Sequence, residues 1–132
     1  MQELTNWTEM ASVGSREVDE QHKNLYRLGR EALRILEEHA RDVDRAHEVL
    51  NDIAEALSKT FELEEKCLAR NACPLLGSHV AEHDAYRMSL NKNLNDTAAG
   101  ASIDKDALLA AMRDWITKHV PNMDVLCKDY LK

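Results

Sequence analysis

Four stretches of this chain carry apolar residues at the three-and-four spacing of one helix face, and an ionisable residue interrupts each stripe. The clearest is Leu76, His79, His83, Tyr86, Leu90, Leu94, where two histidines four apart stand about one turn from each other on the same face. Val18, His22, Leu25, Gly29, Ala32, Leu36 form a second stripe, and Leu50, Ile53, Leu57, Thr60, Glu64 a third, continued by Cys67 or Leu68. Leu108, Met112, Trp115, His119 make the fourth. A stripe of this kind faces a core, so its histidines and carboxylate point inward.

The stripes predict helices over about 18–38, 45–70, 74–97 and 104–120, separated by short polar breaks. Asp42 and Asp44 in the first break can cap a helix, Pro74 suits a first turn, and residues 97–102 read as a loop. With only four glycines and two prolines in 132 residues, the expected class is all-α: an antiparallel up-down-up-down four-helix bundle with a short C-terminal helix. The length suits one domain, with residues 1–16 as an N-terminal arm anchored by Trp7, the bundle from about 17 to 120, and a C-terminal segment 121–132. That last segment carries Asp124. It follows His119 by five residues, about 140° around an ideal helix, so both face inward only if the helix breaks or bulges near Pro121.

Seventeen basic against twenty-four acidic side chains give a net charge of -7 without a basic cluster, which argues against a nucleic-acid partner. No apolar run approaches the ~20 residues of a membrane span, so no membrane partner and a cytoplasmic location are expected. Cys67, Cys73 and Cys127 are odd in number and lack a zinc-type spacing, which favours reduced thiols, as small core or half-buried residues, over a disulfide framework.

Burying an unpaired carboxylate costs several kcal/mol, and two such burials rival the stability of a whole domain. A cation resolves this. His22, Glu64, His79, His83, His119 and Asp124 are the candidate ligands; nitrogen-rich sets with two carboxylates suit iron first, with zinc or manganese behind it. Six ligands are too many for one ion with an open position, so two metals are expected, with Glu64 and Asp124 bridging. His39 and His47, beside the polar connector, read as solvated. A competing reading takes His79-x-x-Glu82-His83 as an inverted zinc-protease motif with Glu82 as general base, but it leaves the other inward groups unexplained. A metal-free helical interaction domain would need those groups to satisfy one another.

Trp7, Ser12-Val13-Gly14, Asp19-Glu20-Gln21-His22, Phe61-Glu62-Leu63-Glu64-Glu65, the His79/His83 pair, and Trp115-Ile116-Thr117-Lys118-His119 followed by Asp124 resemble, in order and spacing, the bacterial hemerythrins. The resemblance implies a bundle around an oxo- or hydroxo-bridged di-iron centre that binds O2. By position, His79, His83 and His119 would complete one iron, Glu64 and Asp124 would bridge, and His22 would serve the O2-binding iron. The family has a histidine directly before the residue that is Phe61 here; this chain has Thr60, a poor iron ligand. Water or hydroxide in that place, or a more labile second iron, is the implied consequence. Cys73 and Cys127 stand where the family tends to have tyrosines. The implied function is O2 storage, delivery or sensing, with a di-iron redox enzyme or a sensor of NO or peroxide as the alternative; the sequence names no reductant.

Overall fold

A computed structural model describes residues 12–38, 42–101 and 105–132. Trp7, His39 and Asp104 lie outside the described residues. Four α-helices follow in order: α1 Arg16–Glu38, α2 Val43–Arg70, α3 Leu76–Ala98 and α4 Lys105–Asp114. The last continues as a π-helical segment, Trp115–Asp124, and a 3₁₀ turn Lys128–Tyr130 precedes the end. No strand occurs among the described residues. The short connections reverse the chain each time, giving the expected antiparallel bundle, with α1 packed on α2, α2 on α3, and α4 closing against α1.

The caps explain where the helices begin. Ser15 accepts the Val18 N–H at 3.4 Å, and Asp19 reaches back to the Val13 N–H at 2.9 Å and the Ser12 hydroxyl at 2.5 Å. This folds residues 12–15 into the anticipated turn and drives Val13 into the core. Asp42 accepts the Arg45 N–H at 3.0 Å and starts α2 two residues earlier than the apolar spacing indicates.

Helices α2 and α3 end in the same way. Past α3, Gly100 at φ 85° donates to the Thr97 carbonyl and Ala101 to that of Asp96. Past α2, Ala72 at φ 54° donates to Ala69 and Cys73 to Leu68. Both are Schellman closures, but α2 makes its closure with a residue whose Cβ disfavours the left-handed conformation. Ala72→Gly is therefore expected to stabilise the protein by ~0.5–1 kcal/mol, read as a higher urea midpoint at unchanged slope.

The seams are buried as their spacing predicts: Val18, Leu25, Ala32, Leu50, Ile53, Leu68, Leu90, Leu108 and Trp115 all lie in the core. One expectation needs correction. His47 is half-buried and engaged rather than simply solvated: its Nδ1 lies 2.6 Å from the Thr97 hydroxyl, which itself donates to the Asn93 and Leu94 carbonyls. The ring thus donates to Thr97 and ties the start of α2 to the end of α3. Sequence proximity to a polar connector concealed this, since the partner is fifty residues away.

Candidate metal centre

His22, Glu64, His79, His83, His119 and Asp124 are all fully buried and converge in the bundle interior. One comes from α1, one from α2, two from α3 and two from the π-helical segment. That segment answers the angular problem between His119 and Asp124. Its N–H groups reach back five residues instead of four, as Val125 does to the Val120 carbonyl at 2.9 Å, so residues five apart stack. Pro121 sits inside it without breaking it.

The two carboxylates face both ways. Glu64 turns Oε1 to His22 Nε2 at 2.5 Å and Oε2 to His83 Nε2 at 2.9 Å and His79 Nε2 at 3.5 Å. Asp124 turns Oδ2 to His22 Nε2 at 3.4 Å and Oδ1 to His79 Nε2 at 2.8 Å and His119 Nε2 at 3.1 Å. One donor atom from each of Glu64, His79, His83, His119 and Asp124 falls within 4.8 Å of all the others. For scale, donors with ~2.1 Å bonds stand about 3.4 Å apart on a tetrahedral cation and about 4.2 Å apart across an octahedral one. His22 stands apart from this group, on the other side of the carboxylates.

Outer partners fix which ring nitrogens are bare. His83 Nδ1 lies 2.7 Å from Glu65, which Arg87 holds at 2.8 Å, and His119 Nδ1 lies 3.1 Å from Glu82. An imidazole that donates from Nδ1 to a carboxylate presents an unprotonated Nε2. Yet His83 Nε2 and His119 Nε2 face each other at 3.2 Å. Two lone pairs at that distance repel unless a proton or a metal lies between them. Glu64 Oε2, His79 Nε2 and both Asp124 oxygens likewise lack any hydrogen bond despite their close neighbours. The donor set fits a cation bound among these atoms better than a network of hydrogen bonds.

Around this cluster the walls are aromatic. Phe61 stacks on His83 with ring centroids 3.7 Å apart, and Trp115 meets His22 edge-on at 5.5 Å. Tyr86 packs near His119 and donates to Asp114 at 2.8 Å. Thr60 is buried one turn before Glu64, but its hydroxyl donates to the Ala56 carbonyl at 2.8 Å and so turns into its own helix. The orienting roles of Glu65, Glu82 and Arg87 are what spacing alone missed. Glu82 does not stand as a free base beside His79 and His83, as a protease reading needs; it pairs with His119. The available signal was its place on α3 one residue before His83, just off the apolar stripe.

Electrostatics point the same way. Burial would lower the His79 imidazole, but Asp124 and Glu64 raise it to about 11. Burial works against charge at His22 and His119 too, and the adjacent carboxylates raise both. Burial would push Glu64 up, yet His22, His79 and His83 hold it well below its ordinary range. In the metal-free protein, the His79 contribution to stability is complete below its ordinary value of 6.5 and is lost as pH rises toward about 11. The Glu64 contribution is present above its ordinary value of 4.5 and is lost on acidification. Thermal melts of chelator-treated protein should therefore peak between those two values and fall by pH 9, while metal affinity rises over the same interval because the cation displaces protons.

A four-helix bundle with histidines and carboxylates gathered in its interior defines a class of helical proteins equipped to hold metal ions. Within that class the assignment is direct. Residues 13–127 match the family model described as the hemerythrin HHE cation binding domain, and the chain belongs to that family. A crystal structure of wild-type hemerythrin superposes with a TM-score of 0.88 at 22% identity, covering 97% of this chain and 98% of that one. A single-substitution hemerythrin mutant gives 0.88 at 21% identity, with 98% of each chain covered. At such identities the likeness speaks for the fold. A search of curated protein sequences finds no significant match. No helix among the described residues is long and apolar enough to cross a membrane.

Proposed function

We propose that the chain is a non-haem di-iron protein that binds O2, for storage, delivery or sensing, at an asymmetric centre. The observation that carries this reading is the two-faced placement of Glu64 and Asp124. Each directs one oxygen to His22 and the other to the three-histidine side. His79, His83 and His119 would hold one iron, the carboxylates would bridge, and His22 would be the single nitrogen ligand of the second. Ferrous ions there would supply the electrons that make O2 a ligand.

The protein's own residues do the rest. Glu65 and Glu82 keep His83 and His119 in the ligand-ready tautomer. Phe61, Tyr86 and Trp115 exclude water from the rings. An apolar cleft lined by Leu25, Leu57, Leu90, Met112, Tyr86 and Trp115 reaches these aromatic walls from the surface, which suits a small neutral ligand better than an anion. A second reading, a redox enzyme or a sensor of NO or peroxide on the same centre, draws support from Thr60, whose hydroxyl is engaged with Ala56 and leaves His22 without a nitrogen companion. As for extent, we take residues 1–132 as one domain of this kind.

Anaerobic loading with ferrous iron tests the main reading. Two irons per chain are expected, taken up in a tight and a weaker step, with an oxo-bridge absorption band after oxidation. One metal or fewer per chain, without that band, overturns it. Fast oxidation of the ferrous form with no oxygenated species detected selects the second reading.

A further inference from the structure

We propose that Cys73 and Cys127 are a reversible dithiol–disulfide pair that reacts with hydroperoxides, a thiol site adjoining the candidate metal centre, where Cys127 neighbours His79, and needing no metal for its chemistry. Their sulfurs lie 3.9 Å apart, both within one apolar cluster at the end of the bundle. Cys73 belongs to the connector between α2 and α3, and Cys127 to the turn just past the π-helical segment. The third thiol of the cluster is engaged elsewhere, with Cys67 Sγ at 3.7 Å from the Arg70 guanidinium.

The two backbones are already held in place. Asn71 Nδ2 donates to the Tyr130 carbonyl at 2.9 Å and to that of Lys132 at 3.1 Å, and Arg70 donates to Lys132 at 2.9 Å. Cys73 donates its own N–H to Leu68 at the closure of α2. Side-chain rotation is then the main motion needed to reach an S–S bond of ~2.05 Å.

Cys73 retains a little surface while Cys127 has none, so Cys73 meets the oxidant first. With hydrogen peroxide, the Cys73 sulfur attacks one oxygen, the O–O bond breaks, and Cys73 sulfenic acid and water result. Cys127 sulfur then attacks Cys73 sulfur, the S–O bond breaks, and the departing hydroxide takes the Cys127 proton as water. Two thiols and one peroxide give one disulfide and two waters. The loop so closed spans 54 positions and contains His79, His83, His119 and Asp124. Oxidation therefore staples the segment carrying four candidate ligands.

Trypsin cleavage after Lys66, Arg70, Arg87, Lys118 and Lys128 puts each cysteine on its own peptide. Chelator-treated protein exposed to hydrogen peroxide should yield a Cys73–Cys127 cross-linked peptide lighter by two hydrogens, with Cys67 still open to alkylation. The melting temperature should rise by on the order of 10 °C and return on reduction with dithiothreitol. Cys67→Ser should keep the cross-link and the shift; Cys73→Ser should lose both. A cross-link through Cys67, sulfinic acid on unlinked cysteines, no reaction, or a cross-link without a thermal shift would each overturn the proposal. Because the metal-free protein carries the test, a failure of iron loading leaves it standing.

Discussion

Glu64→Gln is expected to abolish stable iron loading while leaving the helical bundle intact. The amide keeps the shape and one acceptor for His22, but it removes the charge that faces three imidazoles and the second oxygen needed to face two ions. Iron should fall below one per chain after anaerobic loading and desalting, with far-ultraviolet dichroism unchanged. Glu82→Gln is the matched comparison, since it touches the centre only through His119 Nδ1. Loss of an outer partner of this kind typically costs ~10–100-fold in metal affinity, so the Glu64 variant should bind more weakly than the Glu82 variant. Equal losses in the two would argue against a metal bound by Glu64.

Thr60→His should act in the opposite direction. Thr60 is buried one turn before Glu64 on the same face of α2, so an imidazole there is directed toward the interior cluster. The variant should take up its second iron at lower free metal and gain an O2-dependent absorbance that disappears on deoxygenation and returns on re-exposure. Crowding by the larger ring should cost ~1–3 kcal/mol in the metal-free form, visible as a lower melting temperature. Native protein and variant that load and respond to O2 identically would remove position 60 from any account of the centre.

Most of the architecture was legible in the sequence because burial imposes a period. The stripes through Val18, Leu50, Leu90 and Leu108 could be read as helix faces without knowing what they packed against, and the inward histidines and Glu64 came with them. The link between His119 and Asp124 was legible only as a conflict, since an ideal helix separates them, and the five-residue stacking that reconciles them is a backbone choice no residue type announces. The orienting roles of Glu65, Glu82 and Arg87 escaped because exposed charges fill every helix surface, and only the fold distinguishes a carboxylate that touches a ring nitrogen from one in water. His47 and the left-handed Ala72 escaped for a related reason, each depending on a partner or a dihedral that spacing does not encode.

The wide winding from Trp115 to Asp124 has a consequence for how length changes are tolerated. Deleting one residue between His119 and Asp124 would let the backbone revert to ordinary α pitch and bring the shortened interval to a four-residue step, a lawful α-helical neighbour. Adding one would swing the carboxylate roughly a quarter-turn away from its imidazole companions. Indels here are thus asymmetric: contraction can be absorbed by rewinding, whereas expansion ejects a donor. The inventory of side chains in this stretch therefore carries meaning only together with its residue count.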